Sequence, residues 1–308
     1  MRNFCLALAA LFLPLAPAAA KPMPEPAGLS EAPQPSPALW KLADEDTTIY
    51  LFGTVHVLPK DFEWRSPRFD EVMAQSDELY VEVAADLDMW AVLAGLGKYG
   101  IDRDAPRLKD RIDPDLHDEL DAAISKTFIP ASGFDNFKTW LAAVMLMEMN
   151  GYGVEEYADG DGVEDVLERE FDEAGKPIRS LEDFETHYLF FDAMSESTQV
   201  AFLESMLEVD PDTEKDFLAQ IERWRSGNTD DDLDDWFGEV ESEEERAAVE
   251  EFIAGILHGR NASWVDFLID RLDAPGTILV AGGAAHFRGE KSVIDLLEKR
   301  GFEVERVQ

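Results

Sequence analysis

The chain has 308 residues, 45% of them hydrophobic, and its 66 acidic against 27 basic side chains give a formal charge of −39. Polyanionic partners, nucleic acid and anionic membrane surfaces alike, are repelled by such a balance and are excluded as targets. The single cysteine, Cys5, lies within the first few residues, which leaves the rest of the chain without disulfide, thiolate-ligand or thiol-nucleophile chemistry.

Met1-Arg2 gives a positive start, Phe4 to Leu15 is apolar, and Ala18-Ala19-Ala20 precedes Lys21. This pattern predicts a signal peptide over residues 1–20, cleaved after Ala20, and hence an exported, periplasmic or secreted protein. The apolar stretch is short and interrupted by Pro14 and Pro17, so no stable membrane anchor is expected after cleavage. Residues 21–38 carry Pro22, Pro24, Pro26, Pro33, Pro35 and Pro37, a composition that favours extended backbone and reads as a linker. Residues 39–308 then form a single domain large enough to bury an ordinary core.

Within that domain, Thr48 to Phe52 is β-branched and aromatic and ends at Gly53. Pro67 to Ser76 places Phe69, Val72 and Met73 at helical spacing, and Leu79 to Val83 is again strand-like. This βαβ unit predicts two parallel strands that send His56 and Glu82 toward one sheet edge. A long helical middle follows: Pro114–Ser125, Phe137–Met149, Val163–Phe171, Phe184–Met194, Val200–Leu207 and Thr213–Arg225, with one short strand over Pro177–Leu181. The helix opened by the capping box Ser242 and Glu245 buries Val249, Phe252, Ile253, Ile256 and Leu257 and is expected to stop at Gly259-Arg260-Asn261. The chain closes with a strand at Thr277–Val280, a helix from Ser292 to Arg300, Gly301 as its stop, and a strand at Phe302–Val307. The fold class is therefore α/β: a mostly parallel central sheet built from the two chain ends, flanked by helices, with a large helical middle region.

Two copies of one phrase, Gly53-Thr-Val-His56 and Gly283-Ala-Ala-His286, each follow a strand. A strand that ends in a glycine turn and an imidazole sets a metal ligand or proton carrier at the carboxyl edge of a sheet. The other histidines, His117, His187 and His258, lie in helical segments and read as structural. Gly-x-Ser-x-Gly, His-Glu-x-x-His and P-loop patterns are missing, which argues against common serine hydrolases, zincins and NTPases. Asp159-Gly-Asp-Gly162 with Glu168 nearly fits a calcium loop, but Tyr157 and Glu164 occupy wrong places, and a helix-capping turn is the better reading. The run Met145 to Met149 reads as adaptable core filling.

Tyr50-Leu-Phe-Gly-Thr-Val-His-Val-Leu-Pro59, Glu82, Leu181-Glu182, Trp224 with Gly227, Arg260-Asn261-x-x-Trp264 and Gly283-Ala-Ala-His-Phe-x-Gly289 occur in this order. In this combination the chain resembles the TraB/GumN family, to which the Tiki metalloproteases are related. The resemblance implies a metal-dependent peptidase activity, with His56 and His286 as ligands of a divalent ion and Glu82 as a third ligand or as the general base. Mn²⁺, Co²⁺ and Zn²⁺ all suit two imidazoles and a carboxylate. Phe287 and Ala284-Ala285 depart mildly from the usual version of the second motif. Arg260 and Asn261 are candidates for stabilising an oxyanion or orienting a substrate carboxylate; the alternative is a helix-end cap after Gly259. The substrate is a peptide or small molecule. The rival reading is a non-catalytic periplasmic protein that binds a metal, haem or peptide, with Trp140, Tyr152, Trp224 and Trp264 available to line a groove.

Overall fold

A computed structural model describes residues 34–84, 89–150, 160–207, 213–230 and 242–308. The predicted signal peptide, most of the linker, Tyr152, Tyr157 and Asp159 lie outside the described residues. The end of the linker does not: Ser36 donates its amide to the Arg225 carbonyl at 2.9 Å, and Ala38 is buried.

The elements run β1 (Leu39–Ala43), β2 (Thr47–Thr54), α1 (Pro67–Gln75), β3 (Glu78–Val81), α2 (Met89–Tyr99), α3 (His117–Ser125), α4 (Ala131–Phe134), α5 (Thr139–Asn150) and α6 (Val163–Glu173). They continue with β4 (Ile178–Ser180), α7 (Phe184–Ala193), α8 (Glu196–Leu207), α9 (Thr213–Arg225), α10 (Glu243–Ile253), α11 (Gly259–Arg271), β5 (Gly276–Gly283), α12 (Val293–Lys299) and β6 (Val304–Arg306). Local chemistry sets several starts. Ser66 caps α1 ahead of Pro67, the Ser242 and Glu245 box caps α10, and Ser292 accepts the Asp295 amide to open α12.

Six strands form one sheet in the order β4-β3-β5-β2-β1-β6. β4, β3, β5 and β2 run parallel, while β1 lies antiparallel to both β2 and β6. The sheet is thus mostly parallel and assembled from the two chain ends, as the pattern predicts. β5 inserts between β2 and β3, so the first βαβ unit spans a strand from the far end of the chain. The antiparallel edge is the difference. β1 is not apparent in the sequence pattern, and it recruits the last strand away from the parallel set.

Both faces of the sheet are covered, which is why β2 and β5 read as continuous apolar runs. Tyr50, Phe52, Leu79, Val81, Leu279 and Ala281 pack with α1, α6 and α9; Ile49, Leu51, Tyr80, Ile278 and Val280 pack with α11 and α12. A third core around Trp140, Leu146, Phe191, Phe202 and Phe252 holds the helical middle together. One boundary is corrected. The helix from Ser242 does not stop at Gly259: α10 runs through a π-helical turn, Ala254–His258, straight into α11. Glycine in a helix interior costs about 1 kcal/mol, too little to end a helix whose apolar face continues through Trp264, Val265 and Leu268.

Candidate functional site

β2 and β5 are hydrogen-bonded neighbours, and their pairing carries the two Gly-x-x-His turns to the same edge of the sheet. The register pairs Gly53 with Gly282 and Thr54 with Gly283, so the two motifs are offset by one residue. Close approach explains the glycines. A Cβ on Gly53 would come within 2.9 Å of the Ala284 Cα, and one on Gly282 within 2.7 Å of the Trp264 ring. Trp224 fixes the first turn by donating Nε1–H to the Gly53 carbonyl at 2.8 Å. Trp264 supports the second by stacking on His286, with ring centroids 4.1 Å apart.

Each imidazole is held from behind. His56 lies with Nδ1 2.9 Å from Glu164, and the Thr54 hydroxyl donates to the same carboxylate oxygen. His286 meets Asn261 through Nδ1, and the Asn261 amide donates to the Lys291 carbonyl at 2.9 Å. That second bond fixes the amide orientation, so its Oδ1 must accept and His286 must carry its proton on Nδ1. The Nε2 atoms of His56 and His286 are both buried without a hydrogen-bond partner.

Glu82, just past the end of β3, lies beside them, with Oε1 3.6 Å from His286 Nε2. The same oxygen accepts the Gly283 amide at 2.6 Å, and the other accepts from Arg260. Arg260, on α11 and only 2% exposed, also donates Nε–H to Glu182 at 2.9 Å and Nη1–H to the Ile256 carbonyl at 3.2 Å. Three of its five N–H groups are thus engaged by the protein, which ties it to Glu82 and Glu182, and Asn261 is tied to His286. Neither residue caps a helix end.

Burial alone would raise the Glu82 carboxyl, but the charges of Arg260, His286 and His56 and the Gly283 amide outweigh it and hold the group well below the carboxylate range. His286 goes the other way: burial, reinforced by Arg260, His187 and His56, holds it far below the usual imidazole range against the pull of Glu82. His56 differs again. Burial would lower it, yet Glu164, with help from Glu82 and Asp165, raises it. Glu182 is raised, by burial first, with Glu82 adding and Arg260 opposing.

One neighbour, Glu164, escaped the sequence reading as a member of the site. Glu164 stands one place inside α6 and carries no local signal beyond the nearby Gly162, whose Cβ would collide with the His56 carbonyl oxygen. Trp264 is recognisable only as part of Arg-Asn-x-x-Trp. His187 sits 3.9 Å from Glu182, and burial followed by Arg260 lowers it to about 3. His117 is structural, contacting the Lys109 carbonyl at 2.8 Å.

Among the described residues no three His, Cys, Asp or Glu side chains already form a metal-holding group. What the donor chemistry fits is a pair: two unpartnered imidazole nitrogens with an ionised carboxylate alongside. None of the described helices is long and apolar enough to cross a membrane. Comparison with curated proteins and with solved structures gave no match. The profile of the TraB/PrgY/gumN family matches residues 38–306, most of the length of the chain, and the protein belongs to that family.

Proposed function

We propose that this protein is an exported metal-dependent hydrolase acting on peptide or related amide bonds. One observation carries the reading. The two motif histidines are buried at neighbouring strand ends with Nε2 unpartnered, beside the carboxylate of Glu82. An unpaired buried polar atom costs free energy, and two at one sheet edge point to a missing partner.

His56 and His286 would hold a divalent cation, with Glu82 as third ligand or adjacent charge. Such an ion supplies a positive centre that acidifies water and polarises a carbonyl. Glu82 is kept ionised by Arg260 and the Gly283 amide, which suits it to a charged, ligand-like role better than to accepting a proton. Asn261 fixes the His286 tautomer, and Arg260 fixes the Glu82 rotamer.

The test compares wild type with His56→Ala and His286→Ala for Mn²⁺, Co²⁺ and Zn²⁺ stoichiometry and for cleavage of a peptide library. Loss of one bound ion and of cleavage in both variants is the expected result. Unchanged stoichiometry and unchanged cleavage would sink the proposal. Tight metal or peptide binding without product would instead favour a non-catalytic binding protein.

A further inference from the structure

The two Gly-x-x-His motifs look equivalent in sequence, but their supports differ. We propose that Glu164 is a positioning residue for His56 and that it makes the two histidines unequal, with His56 backed by a carboxylate and His286 by a carboxamide. The inference rests on the metal-binding reading only for what the imidazoles grip. The arrangement of Glu164 itself stands on geometry.

The contact is enclosed and built from several directions. The side chains of His56 and Glu164 are 9% and 12% exposed. Thr54, the last residue of β2, donates its hydroxyl to the carboxylate oxygen that faces His56 Nδ1. α6 is fastened to the same turn, because the Val163 amide donates to the Val55 carbonyl at 2.9 Å and Gly162 packs against the His56 backbone. The other carboxylate oxygen, Oε2, is buried with no partner. A surface-like structural role does not explain a carboxylate taken this far from water.

A carboxylate behind Nδ1–H does two things to an imidazole. It fixes the proton on Nδ1, which leaves the Nε2 lone pair free, and it pushes electron density toward Nε2, making that atom a stronger donor to a divalent cation. The Asn261 carboxamide does the first for His286 without the second. His56 is then the principal grip on the ion, and His286 the weaker, exchangeable one.

The experiment records ring ¹H–¹⁵N correlations of the metal-free protein, labelled at histidine, and Co²⁺ titrations of the same samples. In wild type, His56 and His286 should both carry the proton on Nδ1. In Glu164→Ala, His56 should shift toward the Nε2–H form while His286 stays unchanged, and Co²⁺ affinity should drop about 10- to 100-fold. Glu164→Gln retains an acceptor oxygen, so it should keep more of the Nδ1–H form and lose less affinity. His56 protonated on Nε2 in wild type, or unmoved from Nδ1–H in Glu164→Ala, would overturn the proposal. If the alanine variant does not fold, the wild-type spectrum alone decides. Should wild type bind no Co²⁺, the metal-site reading fails while the tautomer result still judges Glu164.

Discussion

Arg260 is the residue on which the charge balance of the site turns. Glu82 and Glu182 both reach its guanidinium, and all three are buried or nearly so. Removing it leaves two carboxylates facing each other with no counter-charge. Arg260→Met should therefore destabilise the protein by about 3–5 kcal/mol, the range for breaking a buried ionic group by deleting one partner. Arg260→Lys keeps the charge but offers a compact ammonium in place of a fork, so it should restore only part of the loss. Urea midpoints at neutral pH measure both. A methionine variant as stable as wild type would mean that the two glutamates are not both ionised in the fold. From sequence, Arg260 and Asn261 were recognisable as members of a site but not in their roles. Those depend on acceptors such as Glu182 and Lys291, which no periodicity connects to them.

At the scale of elements, the strands and most helices were legible because their patterns are strong: continuous apolar runs for β2 and β5, caps for α1, α10 and α12. β1 was missed because Leu39-Trp-Lys-Leu-Ala43 is short and follows a proline-rich stretch. α2 was missed because it is apolar yet contributes no buried residue, so it lacks an amphipathic stripe. The continuous α10–α11 rod is more instructive. Gly259 reads as a stop, but the π-helical turn Ala254–His258 re-phases the helix, and the Ile256 carbonyl within it accepts from Arg260. Glycines sort by the same logic of surroundings. Gly53→Ala forces the Ala284 backbone away and should cost about 1–3 kcal/mol, loosening the paired turns. In Gly97→Ala a Cβ meets nothing within 4 Å inside α2, and the change should stabilise by about 0.5–1 kcal/mol. Thermal unfolding of the two variants side by side checks the contrast, and equal effects would contradict the packing described for the motif turns.

Over the whole molecule, the formal charge of −39 predicts solubility and repulsion but says little about where stability resides, because most of the carboxylates among the described residues are exposed. The buried imidazoles govern the pH response instead, and they pull in opposite directions. His56 is raised in the fold, so its contribution is complete below its unfolded value near 6.5 and is lost as the pH climbs through the folded one. His187 and His286 are lowered, so unfolding gains protons below about 6.5 and stability falls as the solution is acidified. The curve should peak near pH 6.5, decline gently on the alkaline side and more steeply on the acid side. Below about 4.5, protonation of unfolded Glu82 adds to the acid loss. With His187 held at about 3, its share alone amounts to roughly 2 kcal/mol between pH 6.5 and 5. Urea denaturation of the metal-free protein across pH 5–8.5 at fixed ionic strength measures the profile. His187→Asn should flatten the acid limb by that amount and leave the alkaline limb alone. An acid limb unchanged in His187→Asn would show that His187 is not held neutral by its surroundings, and would return it to the ordinary helical histidine that its sequence context suggested.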